Sequence, residues 1–254
     1  MKFIKNTYSI ESCRIPKAFD GFTITQISDL HSKKVNDNLY KLIDGDIVIF
    51  TGDIVDKSDN DTFYVIDTIN KITKNIPAYY VTGNHEAANL RIYSLVERYA
   101  ENVRFLHDEE AFIKKGDAAI KIIGLDDLEF SYFTQGELPE LPDDRLQKFD
   151  MSDYTVVLSH SPNNIETFAE YNPDLVLSGH THGGQFRLPV IGAVYAPGQG
   201  LFPKYDKGYY HVNNTDLVIS GGIGCSRLPI RVNCPAEINN IVLRNIGGTH
   251  NDKQ

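Results

Sequence analysis

Five short polar clusters constrain this chain more than any other feature. In order they are Asp29-Leu30-His31, Gly52-Asp53, Gly83-Asn84-His85-Glu86, Ser159-His160 and Gly179-His180-Thr181-His182. Four of them directly follow an apolar, β-branched run that reads as a strand. Five of the chain's eight histidines fall inside them. Two metal ions side by side need a bridging carboxylate and several neutral imidazoles, and this set supplies both.

The runs between the clusters predict the architecture. Strands are expected at 22–28, 46–50, 77–82, 119–125, 154–158, 174–177 and 238–244, with a hairpin over 209–220 around Asn213-Asn214. Helices are expected at 36–43, 61–74, 88–100 and 163–171. In the second of these, Phe63, Ile66, Ile69 and Ile72 recur at helical spacing. The stretch 183–205 is rich in Gly and Pro and reads as a long loop; 138–148 reads as a Pro-broken connection. Short apolar strands followed by helices imply an α/β class with a buried sheet and helices outside, where ligands gather at the carboxyl ends of strands. One domain is expected over 1–246, followed by a polar tail at 247–254 with no fixed structure.

The residue types at these strand ends suit a binuclear centre. Asp29 and His31 can point off one strand end toward one ion, and His182 can reach back to it. Gly52 permits a sharp turn that frees Asp53 to bridge both ions. Asn84 supplies an amide oxygen, and His160 and His180 two further imidazoles. Mixed imidazole and carboxylate ligation favours two divalent ions of the Mn²⁺, Fe or Zn²⁺ type over Mg²⁺ or Ca²⁺. A hydroxide shared by the ions would be the nucleophile, leaving His85 to assist the leaving oxygen and Glu86 to orient His85.

With these motifs in place, the series DLH, GD, GNHE, H and GHTH resembles the calcineurin-like metallophosphoesterase superfamily from residue 22 to about residue 244. The flanking runs IPKAFDGFTITQISDLHS, GHTHGGQFRLP and APGQGLFPKY resemble its bacterial YkuE/YaeI-like branch of phosphodiesterases. The resemblance implies a central β-sandwich flanked by α-helices in four layers, αββα. It places Asp29, His31, Asp53 and His182 on one ion, and Asp53, Asn84, His160 and His180 on the other. It sets His85 near the leaving group. Glu86 stands where many members have Asp.

The implied reaction is hydrolysis of a phosphodiester or pyrophosphate; a monoester is the alternative within the class. A binding scaffold without turnover is the alternative outside it, but that reading expects lost ligands and all seven positions are present. The net charge of −9 disfavours a nucleic-acid partner, which needs a basic track. A small phosphoester, a nucleotide sugar or a lipid-linked substrate fits better. No apolar run is long enough to span a membrane, which leaves peripheral membrane contact open. The polar start, lacking a leader's apolar core, makes the cytoplasm the expected location of the chain as given. A preceding apolar segment would instead mean membrane association or export. Cys13, Cys225 and Cys234 show no paired spacing and predict no disulfide framework.

Outside the clusters, Arg187 and Phe202 of the 183–205 loop, together with Arg227, are candidate substrate contacts. Gly183 and Gly184 are expected to let backbone approach a ligand. His107 and His211 read as structural histidines, and 108–110 as a solvated acidic face.

Overall fold

The computed structural model describes residues 2–136, 144–225 and 230–247. In chain order its strands are β1 (Phe3–Ser12), β2 (Thr23–Ile27), β3 (Ile47–Thr51), β4 (Ala78–Val81), β5 (Val103–Phe105), β6 (Glu109–Lys115), β7 (Ala118–Leu125), β8 (Thr155–Ser159) and β9 (Leu175–Ser178). Four two-residue strands follow: β10 (Arg187–Leu188), β11 (Gly192–Ala193), β12 (Tyr195–Ala196) and β13 (Gly200–Leu201). Last come β14 (Gly208–Val212), β15 (Thr215–Ile219) and β16 (Ala236–Asn245). The helices are α1 (Asp37–Tyr40), α2 (Phe63–Thr73), α3 (Asn84–Ala88), α4 (Leu90–Tyr99), α5 (Leu128–Gln135) and α6 (Ile165–Glu170).

Successive strand residues point to opposite faces, so a fully apolar strand needs a partner layer on each side. The chain meets that demand with two six-stranded sheets, ordered β1-β16-β2-β3-β4-β5 and β14-β15-β9-β8-β7-β6. Ile24, Ile47 and Ile49 of the first sheet meet Ile122, Val156 and Leu177 of the second between the layers. One residue along, Val48 and Phe50 pack under α2 and α4. On the other sheet Val157 and Val176 pack under α6. The order α, β, β, α is the four-layer sandwich that the family resemblance implies. β2, β3 and β4 run parallel, as do β7, β8 and β9, and the polar clusters stand at their carboxyl ends.

Local differences from the sequence reading have simple causes. In α2 the buried stripe is Val65, Ile69 and Ile72, while Phe63 is 85% exposed. Phe63 precedes Val65 by two residues, about 200° around the helix. The helix expected at 88–100 is two helices, because Asn89 (φ −138°, ψ 57°) ends α3 and caps α4 through its side chain. β1 escaped notice because it is an edge strand whose outward side chains are polar. Glu109 and Glu110, read as a solvated face, open β6. The expected loop after His182 contains two small hairpins, β10–β11 and β12–β13. The tail at 248–254 and most of the Pro-broken connection lie outside the described residues.

His107 is structural, as read. Its Nδ1 lies 3.0 Å from Asp126 and its Nε2 2.8 Å from Glu97 on α4. The hydrogen bond to Asp126 chiefly raises its pKa, from 6.5 to about 9, against the opposing effect of burial. A raised folded-state pKa stabilises fully below the unfolded value and the gain is lost as pH rises through the folded one. His107→Ala should therefore lower the thermal midpoint most near pH 6. The gap from the parent protein should narrow between pH 6.5 and about 9, and a gap independent of pH would assign the histidine to packing alone.

Candidate metal centre

Strand ends alone do not bring ligands together; the loops beyond them must turn sharply and be held. Asp29, His31, Asp53, His180 and His182 all adopt positive φ, between 48° and 68°. Non-glycine residues rarely occupy this left-handed region, and a cluster of them is a mark of stored backbone strain at functional sites. Gly52 (φ 82°) makes the turn before Asp53, where a Cβ would come within 2.6 Å of the His160 ring. Hydrogen bonds from Asp29 N–H to Gly52 O and from His31 N–H to Asp53 O, 3.0 and 2.9 Å, continue the β2–β3 ladder into the loops.

The side chains converge on Asp53 Oδ2. It lies 3.8 Å from His31 Nε2 on one side and 3.3 Å from His160 Nε2 on the other. Around the first nitrogen, His182 Nε2 is 3.2 Å from His31 Nε2 and 3.6 Å from Asp29 Oδ1. Around the second, His180 Nδ1 is 3.2 Å from His160 Nε2. Asp29, His31 and His182 form one group able to hold a metal ion and Asp53, His160 and His180 a second, while His31, Asp53 and His85 form an overlapping third. Asn84 stands in the lining of the same cleft.

These residues fit cations on electrostatic grounds. Burial lowers His31 and His180 to about 4 and His182 to about 3, so their rings are neutral at pH 7. Neutral imidazole nitrogens facing one another at 3.2 Å set lone pair against lone pair unless a cation or proton is shared. His160 Nδ1 is 2.7 Å from the Thr51 carbonyl and donates to it, which leaves its Nε2 to face Asp53. The Asp53 carboxylate is held well below its usual range; burial opposes this, and His160, His31 and His85 outweigh it. Two buried polar atoms, Asn84 Oδ1 and His182 Nδ1, have no hydrogen-bond partner among the described residues. The amide oxygen is the donor type that the second group lacks.

Glu86 has a different role from the one expected. It is fully buried, and its carboxylate hydrogen-bonds backbone N–H groups and the Tyr80 hydroxyl rather than His85. Its Oε2 accepts the N–H groups of Asp53 and Gly83, each at 2.8 Å. Its Oε1 accepts those of Ile54 and Val55 and the Tyr80 hydroxyl, at 2.8, 3.0 and 2.6 Å. Glu86 thus shapes the loop that carries Asp53. The carboxylate beside His85 is Asp56, whose Oδ2 lies 3.5 Å from His85 Nδ1 and 3.6 Å from His31 Nδ1. The sequence reading missed Asp56; its signal was a second carboxylate three residues after Asp53 in GDIVD.

A cleft of about 450 Å³ opens over these groups, lined also by Asp56, Lys57, Ser58, Tyr195 and Pro197. Neither Arg187 nor Phe202 lines it. Arg187 Nη1 donates to Asp206 at 2.7 Å and to the Gly183 carbonyl at 3.0 Å, pinning the first hairpin. Phe202 sits beside a separate surface hollow with Lys204 and Tyr205. Gly183 and Gly184 are close to Cys234, Lys207 and Ala193 rather than open to a ligand. Arg227 lies outside the described residues. Arg231 donates to the Gly221 and Gly224 carbonyls, so it braces backbone.

The profile of the family described as calcineurin-like phosphoesterase matches residues 22–184. The chain is 30% identical over 250 residues to the metallophosphoesterase YkuE of Bacillus subtilis, covering 93% of this chain and 84% of that protein. It is 26% identical to a Bos taurus transmembrane protein with a metallophosphoesterase domain, covering 94% of this chain and 56% of that protein. Among solved structures, the sulfate thiohydrolase SoxB of Thermus thermophilus superposes with a TM-score of 0.51 at 14% identity, covering 89% of this chain and 57% of that one. That likeness concerns the fold alone.

Two predictions follow from the site's supports. Glu86→Ala strands four backbone donors and a hydroxyl in the interior, and should cost roughly 3–5 kcal/mol in urea unfolding. An unchanged urea midpoint with slower turnover alone would return Glu86 to the orienting role. Arg187→Ala should cost roughly 1–3 kcal/mol through the lost ion pair, slowing turnover of small and large substrates alike; selective loss on large substrates would restore it as a substrate contact.

Proposed function

This chain belongs to the calcineurin-like phosphoesterase family, and from that premise we propose that it is a two-metal hydrolase of phosphodiester or pyrophosphate bonds. The carrying observation is the single oxygen, Asp53 Oδ2, that faces an imidazole nitrogen of each ligand group. Asp29, His31, Asp53 and His182 would hold one ion, and Asp53, Asn84, His160 and His180 the other. When bound, Mn²⁺, Fe or Zn²⁺ in such a pair would activate a water and neutralise phosphoryl oxygens.

The protein's own groups do the rest. His85 Nδ1 accepts the Lys57 N–H at 3.2 Å, which leaves the ring's proton on Nε2. His85 lines the cleft and is the acid proposed for the leaving oxygen. To act as that acid the ring must take up a second proton at Nδ1 in place of the Lys57 hydrogen bond, a form that Asp56 Oδ2 at 3.5 Å would stabilise. Lys57 is the one cation among the described residues lining the cleft. A diester carries one negative charge and a monoester two, so a single lysine beside several carboxylates favours the diester. The apolar ring of Tyr195 and Pro197 at the rim suits a substrate with an organic group on each side of phosphorus. Nucleotide-sugar and lipid-linked phosphoesters both meet that description. The Bos taurus relative, a transmembrane protein by its description, adds weight to the lipid-linked class.

Elemental analysis after loading with Mn²⁺, followed by a phosphoester panel, tests the reading. Two equivalents bound with turnover of a nitrophenyl diester are expected; two equivalents with no turnover of any ester would make the protein a scaffold. Asp53→Asn should lose occupancy at both positions, and near-normal activity with two ions would sink the bridging role. His85→Ala should keep both ions and lose about 10²–10⁴ in turnover, with a smaller loss on a nitrophenolate leaving group. Loss of the ions in His85→Ala would instead make it a ligand.

A further inference from the structure

The segment after His182 carries a feature that the metal centre does not use. From Leu188 to Pro203 there is no Asp, Glu, Lys or Arg, in a chain that is 23% charged. More than half of the large hydrophobic side chains exposed among the described residues fall between 186 and 202 or at 230 and 232. At the turn of the first hairpin Val190 is fully exposed and Ile191 is 61% exposed. On the second, Tyr195 and Leu201 are cross-strand partners and both exposed.

This surface is built, not frayed. Arg187 N–H bonds Val232 O, Val194 N–H bonds Phe186 O and Phe202 N–H bonds Val194 O, at 3.1, 3.0 and 2.9 Å, so four segments form one patch. Asp206 ties down its base by accepting Arg187 and the Ala193 N–H. Gln199 ties down the second turn by exchanging two hydrogen bonds with the Tyr205 backbone. Val190 is held at φ 70°, a conformation that β-branched residues avoid. Strain kept in order to expose an apolar side chain calls for an occupant.

The arrangement of charge selects that occupant. Protein interfaces surround an apolar centre with a polar rim, whereas the outer hydrocarbon of a bilayer tolerates no charge at depth. Here the protruding turns are free of charge, and charged groups flank them: Lys204 follows Pro203, 70% exposed and ion-paired with Glu166 at 2.9 Å, and Lys57 lies in the cleft. Apolar tips, an exposed tyrosine and lysines at the base follow the order of hydrocarbon, interface and headgroup. Tyr195 also lines the metal cleft, so the patch and the cleft mouth are continuous.

We propose that the hairpins β10–β11 and β12–β13 are a lipid-docking surface that seats Val190, Ile191 and Leu201 in a bilayer's outer hydrocarbon. Docking there would bring the cleft mouth to the headgroups. That a headgroup phosphoester is then the substrate rests on the phosphoesterase reading; the docking itself does not.

Flotation of the chain with phosphatidylcholine vesicles, in chelator so that no turnover enters the measurement, tests the docking. The parent protein should float with the vesicles. Val190→Ser combined with Ile191→Ser should weaken partitioning by about tenfold or more, as should Leu201→Ser, with the thermal midpoint unchanged. The Val190/Ile191 variant should also keep its rate on a soluble nitrophenyl diester. Raising the salt should leave flotation intact, because apolar burial is not screened and a net charge of −9 gains nothing from ion pairing with lipid. No flotation of the parent protein, flotation abolished by salt, or a parent dimer that the tip variants convert to monomer would each overturn the proposal, the last in favour of contact between copies.

Discussion

The buried carboxylate of Glu86 is the interaction on which the rest of the centre depends. It gathers three consecutive N–H groups of the loop after β3, one from the loop after β4 and the Tyr80 hydroxyl. A charged acceptor with this many donors is worth more than the neutral turns it replaces, and it is costly to disturb. Through it, Asp53 is fixed between two histidine groups, and His85 N–H in turn donates to Asp53 Oδ1 at 2.8 Å. The GNHE cluster therefore acts on the site twice, once by lining the cleft and once by shaping its floor.

Five candidate ligands in left-handed backbone represent a real strain, and the two sheets are what sustain it. The sandwich packs apolar side chains on three levels, so the strand ends are rigid and the loops leaving them have few alternatives. Extra ladder bonds from Asp29 and His31 to the neighbouring loop, and from Gly224 N–H to Asp29 O, lock the strained residues in place. Three neutral, buried imidazoles (His31, His180 and His182), a His160 ring pushed upward by Asp53 against the effect of burial, and one strongly acidic carboxylate are the electrostatic result. That combination is able to hold cations without the site shedding protons from His31, His180 and His182.

The hairpins after His182 extend the same logic outward. Asp206 and Arg187 fasten the first hairpin beside the centre through their ion pair, and the expected loop is a paired apolar surface. Cleft and surface share Tyr195, so the two adjoin in space.

Much of this was legible in the sequence, for a physical reason. β-branched runs fix strands, strand ends fix where polar clusters must emerge, and Asp, Asn and His in that order restrict the chemistry to hard or borderline cations. A buried sheet with helices outside, the polar clusters at strand ends and the structural His107 follow from such local rules; the sandwich was implied only by the family resemblance. Tertiary structure alone decided the roles of Glu86, Asp56 and Arg187, because a carboxylate or guanidinium takes its meaning from the donors and acceptors that surround it. Sequence spacing put Glu86 next to His85, yet consecutive helical residues point about 100° apart, and the two side chains turned to different partners. The polar edge strand β1 and the paired hairpins were hidden similarly, since their stability comes from backbone partners far along the chain rather than from any pattern of their own.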